Sequence, residues 1–125
     1  MAKILVVDDS GLSRRTLRKI LEADGHQINE AEDGESALEQ YFLDRPDVVL
    51  LDLVMKGMYG IDVLARLREL DAEARVIVAS ADIQSSTHAI VKEGGACAFI
   101  TKPFMTDQVR GAVKAALEGK TYGTE

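Results

Sequence analysis

Three carboxylates in this chain stand where short apolar runs stop. Asp8-Asp9 follows Lys3-Ile4-Leu5-Val6-Val7, and Asp52 closes Asp47-Val48-Val49-Leu50-Leu51. Two further runs, Arg75-Val76-Ile77-Val78-Ala79 and Ala98-Phe99-Ile100-Thr101, end on Ser80 and on Lys102-Pro103. Two carboxylates about 4 Å apart repel by roughly 4 kcal/mol at an effective dielectric of 20, so three that converge call for a cation. Donors that are all oxygen select a hard ion such as Mg²⁺. A hydroxyl and a fixed ammonium on the next two run ends are the groups that neutralise the outer oxygens of a phosphoryl group. The chemistry implied is phosphoryl transfer with Asp52 as the nucleophilic carboxylate.

Taken singly, each signal has a plainer reading. An Asp-Asp pair commonly caps a helix, a serine after an apolar run is more often a turn hydroxyl, and a lysine is more often solvated. Their shared position at the ends of strands is what raises them. His26 and His88 fall on a polar edge strand and an exposed helix, where neither is expected to act as ligand or phosphodonor.

The elements that must position these groups alternate regularly. Uninterrupted apolar runs separated by helical spacing indicate parallel strands buried on both faces, here in five β-α units. A strand over 3–8 leads to a helix reaching about residue 23, with Ser10 as its cap and Ser13, Leu17, Ile20 and Leu21 on its buried stripe. Asp24-Gly25 ends it, and residues 26–32, apolar only at Ile28 and Ala31, suit an edge strand. A helix over 35–44 carries Ala37, Leu38, Tyr41 and Phe42 on one face. The third strand, over 47–52, is followed by a glycine-rich segment and by a helix over 61–70 with Val63, Leu64 and Leu67 together. After the fourth strand comes a weaker helix over 85–93, with Ile90 and Val91 as its main apolar side chains and Gly94-Gly95 as its stop. The fifth strand precedes a helix over 107–118 with Val109, Ala112, Val113, Ala116 and Leu117 at helical spacing. One domain over 1–119 with a flexible tail over 120–125 is expected.

With 21 acidic against 15 basic residues the net charge is −6, which disfavours direct nucleic-acid binding. The single cysteine, Cys97, allows no internal disulfide. Near the start, only four consecutive apolar residues precede two acids, so neither a secretory signal nor membrane insertion is expected and the cytoplasm is the natural compartment.

Val7-Asp8-Asp9-Ser10, Leu50-Leu51-Asp52 followed by Met55, Met58 and Gly60, Ser80-Ala81, and Lys102-Pro103-Phe104 together resemble the receiver domain of bacterial two-component response regulators, along the whole chain. That resemblance implies a CheY-like, flavodoxin-like α/β fold: a five-stranded parallel sheet of order 2-1-3-4-5 with helices on both faces, its ligand crevice between strands one and three. It makes Asp52 the phosphoacceptor for a histidine kinase or phosphotransfer protein. Asp8, Asp9, Asp52 and the backbone carbonyl of Val54 become the Mg²⁺ ligands, Ser80 and Lys102 the partners of the phosphoryl group, and Phe99 the aromatic that turns when Ser80 moves. Val54 and Asp82 flank the site two residues beyond Asp52 and Ser80, where they would shape water's approach. The implied function is a phosphoprotein switch read by a downstream target protein. The resemblance likewise implies no enzyme activity beyond catalysis of its own phosphoryl transfer and hydrolysis.

The chain departs from the family's pattern at a few places. Lys56 stands where proline is usual, Tyr59 where a small acidic or amide residue is common, and Phe99 lacks the frequent tyrosine's hydroxyl. Arg14, Arg15, Arg18 and Lys19 are expected to form a solvated helix face with some capacity to dock an acidic partner. Two alternatives to a stand-alone switch remain: a receiver cut from a longer regulator with a transcriptional or enzymatic output domain, and an aspartate-nucleophile phosphatase of the haloacid dehalogenase type. The second needs an acid two residues past the nucleophile, where this chain has Val54. A scaffold that keeps the fold without phosphorylation is disfavoured by the complete set Asp8, Asp9, Asp52, Ser80 and Lys102.

Overall fold

The computed structural model describes residues 2–55, 59–81 and 85–119. Strands β1 (Lys3–Val7), β2 (Gln27–Ala31), β3 (Val48–Asp52), β4 (Val76–Ser80) and β5 (Ala98–Thr101) alternate with helices α1 (Gly11–Ala23), α2 (Gly34–Asp44), α3 (Gly60–Leu70), α4 (Ser85–Glu93) and α5 (Thr106–Leu117). The strands form one parallel sheet in the order β2-β1-β3-β4-β5, as the resemblance implied.

Successive strand side chains point to opposite faces, so every central strand feeds two cores. Leu5, Val7, Val49, Leu51, Val76 and Val78 pack with Tyr41 of α2, Leu64 and Leu67 of α3 and Val91 of α4. Ile4, Val6, Leu50 and Ile77 pack with Leu17 and Leu21 of α1 and with Val109 and Val113 of α5. Burial on both faces is why β3 and β4 have no exposed residue at all. β2, at the edge, buries only Ile28 and Ala31.

The helix ends follow local chemistry. Ser10 Oγ accepts from the Ser13 N–H at 3.2 Å and Asp33 Oδ1 from the Ser36 N–H at 2.8 Å, each satisfying a donor that the first turn leaves open. Gly25 and Gly95, at φ of 86° and 95°, make the left-handed turns that stop α1 and α4. α2 stops on Arg45, a non-glycine at φ 47°. Its guanidinium lies over the Tyr41 ring and 3.5 Å from Asp71 Oδ2, contacts that offset the backbone cost.

Several sequence expectations need correction. β1 ends at Val7, leaving Asp8 just beyond it, and β3 begins at Val48, although the Asp47 N–H donates to the Lys3 carbonyl at 2.8 Å and the Asp47 carboxylate accepts the Lys3 N–H at 2.8 Å. β4 includes Ser80, α3 starts at Gly60 and α5 starts at Thr106. Phe42 is exposed, since α2 presents only Ala37 and Tyr41 fully to the core, and Ile90 is exposed where its neighbour Val91 is buried. One residue along a helix is a rotation of about 100°, enough to move a side chain out of the core. Residues 56–58 and 82–84 and the tail over 120–125 lie outside the described residues.

Candidate phosphoacceptor and metal site

β1 and β3 are neighbours with Val7 opposite Leu51, so Asp8 and Asp52 emerge side by side at the carboxyl end of the sheet. Both are buried, at 2 % and 6 % exposure. The Asp8 N–H donates to the Ala31 carbonyl at 3.1 Å, extending the β1-β2 ladder by one bond, and its Oδ1 accepts from the Ser10 N–H at 2.9 Å. Asp9 is exposed beside them. Asp8, Asp9 and Asp52 each offer an oxygen, and these oxygens lie within 4.8 Å of one another.

The next two strands bring the remaining groups. β4 pairs Asp52 with Ala79, and β5 pairs Thr101 with Ser80, which is buried. The Lys102 N–H donates to the Ser80 carbonyl at 3.0 Å, and Lys102 Nζ lies 2.9 Å from Asp8 Oδ2 and 3.5 Å from Asp52 Oδ1. The Lys102-Pro103 peptide is cis.

Burial, and then the charge of Asp8, push the Asp52 carboxyl above the usual carboxylate range; Lys102 and the Val54 N–H pull the other way without cancelling them. Burial alone would lower the Lys102 ammonium, but its bond to Asp8 and the two nearby carboxylates raise it overall. Among the described residues one ammonium, that of Lys102, pairs with two of the three carboxylates, Asp8 and Asp52, which leaves a surplus of negative charge in the cluster. A hard divalent cation fits that surplus and an all-oxygen donor set, so Asp8, Asp9 and Asp52 are the residues that could hold Mg²⁺.

The flanking residues are placed as follows. The Val54 side chain is 70 % exposed and Tyr59 is exposed too. Gly60 is where β3's return loop closes against itself: its N–H donates to the Leu53 carbonyl at 2.8 Å, and a Cβ there would stand 2.6 Å from Leu53 Cα while striking the Asp52 carbonyl. Phe99 is partly buried against the α2, α3 and α4 core. Its ring stacks on His88, with centroids 3.9 Å apart and planes inclined by 28°. Asp82 and Lys56 lie outside the described residues.

Two participants were missed in the sequence. His88 was expected only to sit on an exposed helix, yet it is the ring partner of Phe99; nothing in the spacing of the two announces this, because the packing of α4 on β5 creates it. The basic face of α1 is not simply solvated: Arg14 Nε binds Glu30 Oε1 at 2.9 Å, Arg18 Nε binds Glu30 Oε2 at 2.6 Å, and Arg14 Nη1 donates to the Asp8 carbonyl at 2.8 Å. The available signal was Arg14 and Arg18 at helical i, i+4 spacing, which puts them on one face.

A parallel α/β sheet of this order with acids, a serine and a lysine at its carboxyl edge is the arrangement that the receiver resemblance implied. Residues 4–114 match the family model described as the response regulator receiver domain. The chain is 39% identical to the chemotaxis protein CheY of Bacillus subtilis (strain 168) over 116 residues, 92% of this chain and 97% of that protein. It is also 39% identical to sporulation initiation phosphotransferase F of the same organism, over 95% of this chain and 96% of that one. The transcriptional regulatory protein KdpE of Mycobacterium tuberculosis matches all of this chain at 39% identity, but the match spans 55% of that longer protein. Among solved structures, a LuxR-family two-component response regulator from Aurantimonas sp. SI85-9A1 superposes with a TM-score of 0.92 at 29% identity, over 97% of this chain and 88% of that one. The chain belongs to the receiver domain family of two-component response regulators, and it is CheY-like. Among the described residues no helix is long and apolar enough to cross a membrane.

Proposed function

We propose that this chain is a single-domain response regulator, with its receiver over 1–119, that accepts a phosphoryl group on Asp52 and changes its protein contacts in response. The observation that carries the reading is the placement of Asp52, buried at a strand tip and linked to the Asp8 carboxylate by the Lys102 ammonium that lies between them. The donor would be the phosphohistidine of a histidine kinase or phosphotransfer protein. An Asp52 oxygen attacks phosphorus, a P–O bond forms as the P–N bond breaks, and the leaving electron pair returns to the imidazole, which takes a proton from solvent.

Asp8, Asp9, Asp52 and the Val54 carbonyl would hold Mg²⁺, which when bound supplies positive charge against the phosphoryl oxygens. Lys102 would leave its place between Asp8 and Asp52 to pair with the phosphoryl group, and the Ser80 hydroxyl would hydrogen-bond it. A phosphoryl group brings a charge of about −1.5 to −2, enough to draw these donors inward. Displacement of Ser80 opens room for Phe99, which must then break its stack on His88. Val54 and Asp82, two residues past Asp52 and Ser80, would set the rate at which water hydrolyses the acyl phosphate. These steps are the domain's only catalysis, and a target protein in the cytoplasm, in chemotaxis or another two-component pathway, reads the result.

Incubation with Mg²⁺ and acetyl phosphate should add one acid-labile phosphoryl group to the wild type and none to Asp52→Asn. An unmodified wild type would sink the proposal in favour of a scaffold. A second reading, a receiver belonging to a longer regulator, draws on the match to roughly half of KdpE. The phosphatase reading lacks its general acid, since Val54 stands at that position, and turnover of phosphate esters would be needed to revive it.

A further inference from the structure

We infer that Arg14, clamped by Glu30, is a positioning residue of the divalent-cation site. The inference rests on the reading of Asp8, Asp9 and Asp52 as metal ligands and adds a residue that touches none of the three carboxylates.

Asp8 and Asp52 are held by the sheet, but Asp9 is not. Asp8 is fixed by the Ala31 carbonyl, by the Ser10 N–H and by Lys102, and Asp52 lies within β3. Asp9 lies beyond β1, and among the described residues no hydrogen bond or ion pair holds its carboxylate. Its position therefore depends on the peptide that joins it to Asp8. A peptide unit is planar, so fixing its oxygen fixes the direction in which the next Cα leaves. Arg14 Nη1 binds that oxygen, the Asp8 carbonyl, at 2.8 Å.

Arg14 is itself restrained. Its side chain is only 17% exposed, and Nε is 2.9 Å from Glu30 Oε1 with Nη2 3.8 Å from Glu32 Oε2. Glu30 in turn uses its second oxygen on Arg18 Nε at 2.6 Å, and Arg18 Nη1 reaches Glu22 at 2.8 Å. The edge strand β2 thus anchors a guanidinium on α1, and that guanidinium holds the peptide from which Asp9 departs. A planar guanidinium can serve both partners at once, which an ammonium on a flexible stem does less well.

The sign of the effect separates positioning from charge. As a mere cation near the site, Arg14 would repel Mg²⁺, and neutralising it would tighten binding. As a positioning group its removal lets Asp9 drift and weakens binding, and partners that orient metal ligands typically contribute about ten- to a hundredfold in affinity.

The test is calorimetric titration of the 125-residue chain with Mg²⁺, at a temperature well below the unfolding midpoint of each variant measured in EDTA. Arg14→Met should bind Mg²⁺ about tenfold or more weakly, and Arg14→Lys, which keeps the charge but not both bonds, should fall between it and wild type. Glu30→Gln, which leaves Arg14 in place but loosens it, should also weaken binding. Should Arg14→Met fail to fold, the Arg14→Lys titration, in which the charge is unchanged, decides the matter. Affinity equal to or tighter than wild type in the folded variants overturns the inference alone. A wild type that takes up no Mg²⁺ overturns the site reading and this inference together.

Discussion

Lys102 Nζ sits 2.9 Å from Asp8 Oδ2, joining residues 94 apart in sequence across the top of the sheet. The ammonium occupies two of the carboxylates that a divalent ion would engage, so the two cations would compete. A unit charge about 4 Å away contributes roughly 1–4 kcal/mol between water and a partly buried setting. Lys102→Met should therefore bind Mg²⁺ about tenfold more tightly or better, the opposite sign to Arg14→Met, while accepting phosphoryl groups poorly. Calorimetry with Mg²⁺ and incorporation from acetyl phosphate check the two halves. Without Mg²⁺ the variant should lose about 3 kcal/mol of stability, because the buried Asp8 carboxylate loses its partner.

Gly60 tolerates no side chain, for a reason of space. A Cβ would stand 2.6 Å from Leu53 Cα and meet the carbonyl of Asp52 itself. Backbone cannot swing away as a side-chain tip can, so Gly60→Ala should shift Asp52 and cost about 1–3 kcal/mol. Urea unfolding should show the loss, and phosphoryl uptake at saturating Mg²⁺ should slow.

Acid should release the clamp on β2. The hydrogen bond from Arg18 holds the Glu30 carboxyl below its ordinary value of 4.5, burial opposes this, and Arg14 adds to the lowering. A depressed folded-state pKa contributes stability that is complete above 4.5 and lost as pH falls through the folded value. Wild type should therefore weaken more steeply below that pH than Glu30→Gln, which at neutral pH should be less stable by about 1 kcal/mol since the pair is partly exposed. Urea midpoints measured across the acid range give the comparison.

Alkali should act at the other core. Burial, reinforced by the hydrogen bond to Asp71 at 2.9 Å, pushes the Tyr41 phenol from 10.0 up to about 12. A raised folded-state pKa contributes stability that is complete below 10.0 and lost as pH rises through about 12. Wild type should lose stability over that window and Tyr41→Phe should not, although at neutral pH the substitution costs about 1 kcal/mol for the lost hydrogen bond. Phenolate absorbance should show one tyrosine titrating late in wild type only.

Much of the architecture was legible because buried parallel strands leave an unusual trace. β3 and β4 are covered on both faces, so their residues are apolar without alternation, and the polar residue that breaks each run, Asp52 or Ser80, marks the exit from the sheet. The same contrast located α4 and its glycine stop. Phe42 and Ile90 misled because each lies beside a truly buried position, Tyr41 and Val91, and apolar character alone does not resolve a single helical step.

Sequence by itself therefore determined the count and type of elements and the polar groups at the strand ends, since these are local properties of composition and period, and it placed the apolar faces only to within a helical step. Which strands lie side by side came from resemblance to a family, because nothing in a strand's own residues names its neighbour. Tertiary structure alone decided that Lys102 bridges Asp8 and Asp52, that Arg14 reaches the Asp8 carbonyl from across a Glu30 clamp, and that His88 covers Phe99. Those are contacts between side chains far apart in the chain, set by how helices seat on the sheet, and they exist only once both cores have formed.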